Sequence, residues 1–219
     1  MLEAYKEEVL RIAQRAQRDG LCKHRSGNFS YRDTESGLIA ITPSGVDREK
    51  LQAKDILIID GEGHIQENLS NLRPTSETLM HLAIYKTRPS THAIVHTHSL
   101  YATSFAILGK QIPAVVYEAL NLGLSRGRIP VAPYARPGSE ELAQSIVGPC
   151  KEAQCFLLER HGVVACDDSS LDEAYLKASY VEEVAHLYYN TLVINHNQEP
   201  PALSQQELDA WKYPDQVEH

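Results

Sequence analysis

None of the apolar segments of this chain approaches the roughly 18 residues of a membrane-spanning helix; all are of strand or short-helix length. Four of them, GLIAIT (37–42), DILIID (55–60), HAIVHTH (92–98) and QCFLLER (154–160), are rich in Ile, Val and Leu and lie among turn-forming residues, the pattern of buried strands. Helical periods alternate with them. Leu2, Tyr5, Val9, Ile12 and Ala13 recur at helical spacing until Gly20, and TSETLMHLAIYKTR (75–88) follows Pro74. Residues 99–108 predict a third helix, GSEELAQSIVGPC (138–150) a fourth with Ser139 as N-cap, and 170–194 the longest. SGNFSYRD (26–33) is expected as a polar turn, IPVAPY (129–134) as irregular or extended, and VVAC (163–166) as a strand that turns back from His161-Gly162. The turn-like GEGH (61–64) predicts a hairpin leading into IQEN. With no repeat and no linker, the expectation is a single α/β domain over residues 1–219, its sheet paired largely by hairpins and covered by helices.

The formal charge of −8 leaves no basic field for nucleic acid or an anionic membrane, so a negatively charged ligand must be held by local groups. The N-terminal stretch is an amphipathic helix pattern containing acids rather than the apolar core of a signal peptide, and a cytoplasmic protein is expected. Cys22, Cys150, Cys155 and Cys166 form no C-x-x-C pair and are expected as free thiols. The acidic C-terminal tail, with Trp211 and Tyr213, is expected to be mobile.

The chemistry concentrates in a few places. In a strand, residues i and i+2 share a face, so His96 and His98 can point two imidazoles at one ion; a hydrogen-bonded pair at a strand end fits the same pattern. His161 ends another apolar run and precedes Gly162, which permits a tight turn, and a third imidazole with an open fourth position makes a catalytic zinc pattern. His24, His64, His92, His186, His196 and His219 have no such spacing and are expected at the surface or in packing. His81 lies four residues after Glu77 on one helix face, where a hydrogen bond towards the site and simple packing fit equally. Thr75 and Ser76 open a helix and suit either a plain cap or a phosphate; Asn28 in SGNFS, and Ser44 and Gly45 in TPSG, are further small polar loop positions. Glu77, one step inside that helix, is a candidate general base or a dipole-matched first-turn acid.

Taken in order and with their separations, GNFS, ITPSG, RPTSE, HTH, IPAVVY, APYARPGSEEL and RHGVVAC resemble the class II aldolase and epimerase superfamily over roughly residues 21–194. The resemblance implies a three-layer α/β/α fold with a central, largely antiparallel sheet, assembled as a homotetramer with active sites between subunits. It implies one Zn²⁺ per subunit on His96, His98 and His161, with Glu77 as acid/base that also touches the metal when substrate is absent. Asn28, Ser44, Gly45, Thr75 and Ser76 would form the phosphate cradle, and Tyr117 would reach a neighbouring subunit's site as the second proton-transfer group.

The implied reaction is reversible cleavage of a ketose 1-phosphate, L-fuculose 1-phosphate in the nearest branch, to dihydroxyacetone phosphate and an aldehyde, here L-lactaldehyde. Pentulose-phosphate 4-epimerases carry an aspartate where Glu77 stands and lack the IPAVVY context; methylthioribulose-1-phosphate dehydratases share the metal pattern. Adducin-like binding modules lose the metal ligands that remain here. EALNLGLSRG (118–127) departs from the aldolase pattern through Glu118 and Arg126, which leaves the aldehyde end of the substrate open.

Overall fold

The computed structural model describes residues 2–212. An eight-stranded sheet runs in the order β4 (Ile65–Glu67), β3 (Leu57–Ile59), β2 (Ile39–Ile41), β1 (Asn28–Arg32), β5 (Ala93–Thr97), β10 (Gly162–Asp167), β9 (Cys155–Leu158) and β8 (Val131–Ala132). Only the β8–β9 pair is parallel, so the sheet is largely antiparallel as expected. β6 (Ile112–Pro113) and β7 (Arg128–Ile129) form a separate two-stranded ribbon.

Strand alternation sends two sets of side chains into two cores. Ala40, Ile58, Val95, Val163 and Ala165 pack with α1 (Glu3–Arg18), α3 (Leu100–Ile107) and α6 (Leu171–Ile194). Ile39, Ile41, Ile59, Ile94 and Val164 face the other way, onto α2 (Thr78–Thr87), α4 (Glu140–Ser145) and α5 (Val147–Glu152). The result is helices, sheet and helices in three layers. Helix α1 buries Val9, Ile12, Ala13 and Ala16, one stripe at i, i+3, i+4 and i+7, and the Asp19 N–H closes its end on Arg15 O. Ser170 and Ser139 cap α6 and α4 by accepting from the backbone N–H three residues on.

The structure corrects four sequence expectations. Residues 28–32 are not a turn but β1, between β2 and β5; Asn28 and Ser30 look turn-like because their buried partners lie far along the chain on α2. The helix expected over 138–150 is interrupted at Ile146, where Pro149 has no N–H to offer the carbonyl of Ser145. Glu77 stands at the N-cap of α2 rather than inside it. The described part of the tail is docked: α7 (Gln205–Ala210) buries Leu208, and Leu203 N donates to Ala114 O at 2.8 Å. Trp211 is exposed, and Tyr213 lies outside the described residues. All four cysteines are buried and free, and among the described residues no helix is long and apolar enough to cross a membrane.

Candidate active site

Register builds the site. In the sheet His96 pairs with Asn28 of β1 on one side and Val164 of β10 on the other, and alternation turns it with Ile94 towards the α2 layer. β5 ends at Thr97, so His98 stands one residue beyond the strand; its Nε2 nonetheless lies 3.0 Å from His96 Nε2. His161 comes from the β9–β10 hairpin, where Arg160 takes the positive φ of 56° that a tight turn needs. The three rings meet edge to face with centroids 4.8–5.0 Å apart, and one nitrogen of each lies within 4.8 Å of the others.

Gly162 is needed for space rather than for a left-handed turn. A Cβ there would sit 2.3 Å from Thr97 O, 3.0 Å from His98 Cδ2 and 3.2 Å from His96 Cε1. Because one contact is backbone in the centre of the sheet, Gly162→Ala is expected to destabilise by about 1–3 kcal/mol, the usual range for overpacking. The imidazoles should be pushed apart as well. Thermal melts and metal analysis would check this: a variant with wild-type melting temperature and metal content would contradict it.

The donor set fits a metal ion. His96 is fully buried, and its Nδ1 donates to Val163 O at 2.8 Å, which leaves the Nε2 lone pair facing the cluster. Burial, followed by His96 and His161, holds His98 down at about 3; burial and then His96 hold His161 at about 4. Three imidazole nitrogens that converge at this spacing gain from a cation between them.

Glu77 closes the fourth side. Its Oε2 lies 3.0 Å from His96 Nε2 and its Oε1 3.2 Å from His161 Nε2. Asn28 Nδ2 donates to Oε2 at 2.9 Å. Burial alone would raise this carboxyl, but the pull of His96 and His161 and the Asn28 hydrogen bond outweigh it, so Glu77 stays ionised well below the usual carboxylate range.

These groups open onto a cavity of about 260 Å³ lined by Asn28, Ser44, Gly45, Thr75, Ser76, Glu77, His98 and His161. The two small-polar loops lie side by side through an isolated antiparallel bridge between Pro43 and Pro74. That bridge uses the Ser44 N–H (to Arg73 O, 2.9 Å) and the Thr75 N–H (to Thr42 O, 3.0 Å), so these residues have hydroxyls to offer an anion. Both functional atoms of the Asn28 amide already have protein partners, Glu77 and His81. Sequence reasoning missed Arg25, an exposed cation on the cavity wall, and buried Arg48, whose guanidinium donates to Gly27 O and His24 O and so props the Ser26–Gly27 loop. It also missed Gly138, whose φ of +80° and approach to Ser76 O leave no room for a side chain. Only Arg25 carried a readable signal, as the single basic residue abutting SGN.

Tyr117 is not brought to this cavity. It begins the 3₁₀ segment Tyr117–Leu122, is 43% exposed, and donates its hydroxyl to Glu207 of α7. Glu118 is exposed nearby, and Arg126 pairs with Glu152 at 3.7 Å. Of the remaining histidines, His64 pairs with Asp60, His186 stacks on Tyr101 at 3.8 Å and His92 meets Tyr31 edge-on; His219 lies outside the described residues. A larger cavity, about 620 Å³, is lined by Asp19, Asp172, Glu173, Glu182 and Glu183, a wall that repels a phosphate.

Comparison with known proteins agrees with this geometry. Residues 7–189 match the family model "Class II Aldolase and Adducin N-terminal domain". The chain is 38% identical over 190 residues to the L-fuculose phosphate aldolase of Escherichia coli K12, covering 86% of this chain and 83% of that protein. It is 32% identical over 209 residues to the 5-deoxy-D-ribulose 1-phosphate aldolase of Bacillus thuringiensis serovar kurstaki, covering 95% and 94% respectively. A solved structure of L-fuculose 1-phosphate aldolase superposes with a TM-score of 0.86 at 33% identity, over 94% of this chain and 93% of that one.

Proposed function

This chain belongs to the class II aldolase and adducin family, in which its aldolase relatives are lyases, and from that premise we propose that it is a zinc-dependent aldolase that reversibly cleaves a ketose 1-phosphate to dihydroxyacetone phosphate and an aldehyde. The observation that carries this reading is the convergence of His96, His98 and His161 on Glu77 at the floor of a cavity walled by small polar residues. In the reading the whole chain acts as one cytoplasmic domain, and its net charge of −8 fits a small sugar phosphate rather than nucleic acid or membrane.

The three imidazoles would hold the ion, which would supply Lewis-acid stabilisation of the negative charge that develops when the C3–C4 bond breaks. The hydroxyls of Ser44, Thr75 and Ser76, the chain at Gly45 and the Arg25 guanidinium hold the phosphate, and that remote binding fixes the carbons over Glu77. Asn28 contributes by orienting Glu77. Two protons must move. As the aldehyde leaves, the C4 hydroxyl passes one to Tyr117, whose own phenolic proton moves on to Glu207, and C3 receives one from Glu77, which is ionised at rest and takes that proton up from solvent. The exposure of Tyr117 and its distance in the fold from its own cavity support its serving the site of a neighbouring copy, in a homotetramer with sites between subunits.

L-Fuculose 1-phosphate, which would yield L-lactaldehyde, is the substrate this reading favours. 5-Deoxyribulose 1-phosphate is the second, because the Bacillus relative acting on the deoxy-D-ribulose form matches across nearly the whole chain. The two sugars share the phosphate end and differ at the aldehyde end. Product analysis with a panel of ketose 1-phosphates tests the proposal: dihydroxyacetone phosphate plus an aldehyde is expected. An epimer or a dehydrated product in its place would transfer the chain to the 4-epimerase or dehydratase reading.

Asn28→Asp supplies a further test. It replaces the donor to Glu77 by a second carboxylate and puts that negative charge on the wall of the cavity that receives the phosphate. KM for the sugar phosphate should rise on the order of tenfold. An unchanged KM would place the phosphate away from Asn28.

A further inference from the structure

Beneath the site a polar seam runs through an otherwise apolar layer. Glu77, His81 and Tyr85 lie at i, i+4 and i+8 along one face of α2 from its N-cap to its last turn, and Asn28 and Ser30 lie at i and i+2 on the facing strand β1. Their neighbours in that layer are Ile39, Ile41, Met80, Ile84 and Ile94. All five polar side chains are buried, His81 and Ser30 completely. Tyr85 OH is 2.8 Å from Ser30 Oγ, Ser30 Oγ 2.7 Å from His81 Nδ1, and His81 Nε2 2.5 Å from Asn28 Oδ1. Asn28 Nδ2 completes the chain at 2.9 Å from Glu77 Oε2.

The chemistry of the end group sets the direction of every bond. An ionised carboxylate only accepts, so the amide must present its NH₂ to Glu77 and its carbonyl to His81. His81 Nε2 must then carry a proton and donate. Burial, with His96 nearby, pushes the imidazolium down to about 3, so the ring is neutral and Nδ1 accepts from Ser30 Oγ–H. Ser30 in turn accepts from Tyr85. Donors thus point one way along the seam; a flipped amide would set donor against donor at His81 and acceptor against acceptor at Glu77, and the other imidazole tautomer would set acceptor against acceptor at Asn28 Oδ1, each such contact costing on the order of 1–3 kcal/mol.

We propose that His81 is a positioning residue for the reaction: as its Nε2–H tautomer, backed by Ser30 and Tyr85, it locks the Asn28 amide against Glu77 Oε2. That lock fixes the rotation of the carboxylate, with Oε2 held by Asn28 and Oε1 3.2 Å from His161 Nε2 at the floor of the cavity. Oε1 accepts no hydrogen bond from any described residue. A buried network in which every member is satisfied holds its members in one arrangement, which apolar side chains of similar size would not do. The inference rests on the reading of Glu77 as the group that carries a proton to C3.

The test compares His81→Leu with His81→Gln, whose amide reaches the Nε2 position and keeps the donor, and reads kcat, KM, metal content and solvent-deuterium exchange into dihydroxyacetone phosphate. His81→Leu should lower kcat and exchange together by roughly 10–100-fold with KM and metal unchanged, and His81→Gln should recover to within about threefold of wild type, as for outer groups that orient a reacting one. Equal impairment of both variants, full activity in both, or loss of metal in His81→Leu would overturn the proposal. ¹⁵N spectra of the unmodified protein decide independently of how the variants fold. The ring assigned to His81 should remain a neutral Nε2–H imidazole from about pH 5 to 8; a Nδ1–H form or an imidazolium of that ring would overturn it. Absence of both exchange and cleavage in the wild type would instead remove the proton role of Glu77, whichever tautomer the spectra report.

Discussion

Replacing Glu77 by glutamine is expected to abolish both cleavage of the ketose 1-phosphate and exchange of the C3 proton of dihydroxyacetone phosphate with solvent. The substitution keeps the size of a side chain packed between His96, His161 and Asn28 and removes the carboxylate that carries the proton in this reading. Both rates should fall by roughly 10²–10⁴-fold, the contribution of a lost acid/base group. Tyr117→Phe should behave differently, sparing exchange, which involves no C4 oxygen, while slowing cleavage by a factor in the same 10²–10⁴ range. Because Tyr117 does not line its own cavity, co-assembly of the two inactive variants should recover activity at interfaces that pair an intact Glu77 with an intact Tyr117. Mixed oligomers verified by mass are the material for that measurement. No recovery in them would place both groups within one subunit, and loss of exchange in Tyr117→Phe would end the division of labour.

The second large effect concerns the metal. Removing His98 takes away one of the three converging nitrogens and leaves His96 and His161 facing Glu77 with an open side. His98→Ala is expected to retain little of the single divalent ion per chain and to lose cleavage with it, while the fold survives, since His98 lies beyond the end of β5 and is only partly buried. Metal analysis on purified, metal-replete protein checks this alongside a thermal melt. A variant with one full equivalent of metal, or a wild type with none, would contradict the ligand assignment.

How much of this was legible in the sequence differs from residue to residue. Strand-sized apolar runs declared β2, β3, β5 and β9, because alternation there is hidden by burial on both faces and the composition alone is diagnostic. β1 was not legible. Its inward residues Asn28 and Ser30 are polar because they answer His81 and Tyr85, about fifty positions away, and nothing local records that match. His96 followed from strand periodicity, whereas His98 converges although the strand has already ended, so the H-x-H spacing gave the right pair by a partly different route. Gly162 stood out as a turn residue and proves to be a space requirement, with Arg160 taking the left-handed conformation. The docking of α7 depends on Leu208 and on hydrogen bonds to Ala114 and Gly127, all set by tertiary contacts in a segment whose composition is that of an ordinary polar tail.

Central to the proposed reaction is that an ion held by His96, His98 and His161 and a proton carried by Glu77 act together at one carbon. Its most direct test is proton exchange on dihydroxyacetone phosphate alone, in deuterated solvent, with no aldehyde present. Wild-type protein loaded with divalent metal should place one deuterium stereospecifically on C3, lose that activity when the metal is stripped by a chelator, and regain it when zinc is restored. Exchange that persists in the stripped protein, or a metal-replete protein that cleaves the sugar phosphate yet never exchanges this proton, would contradict it.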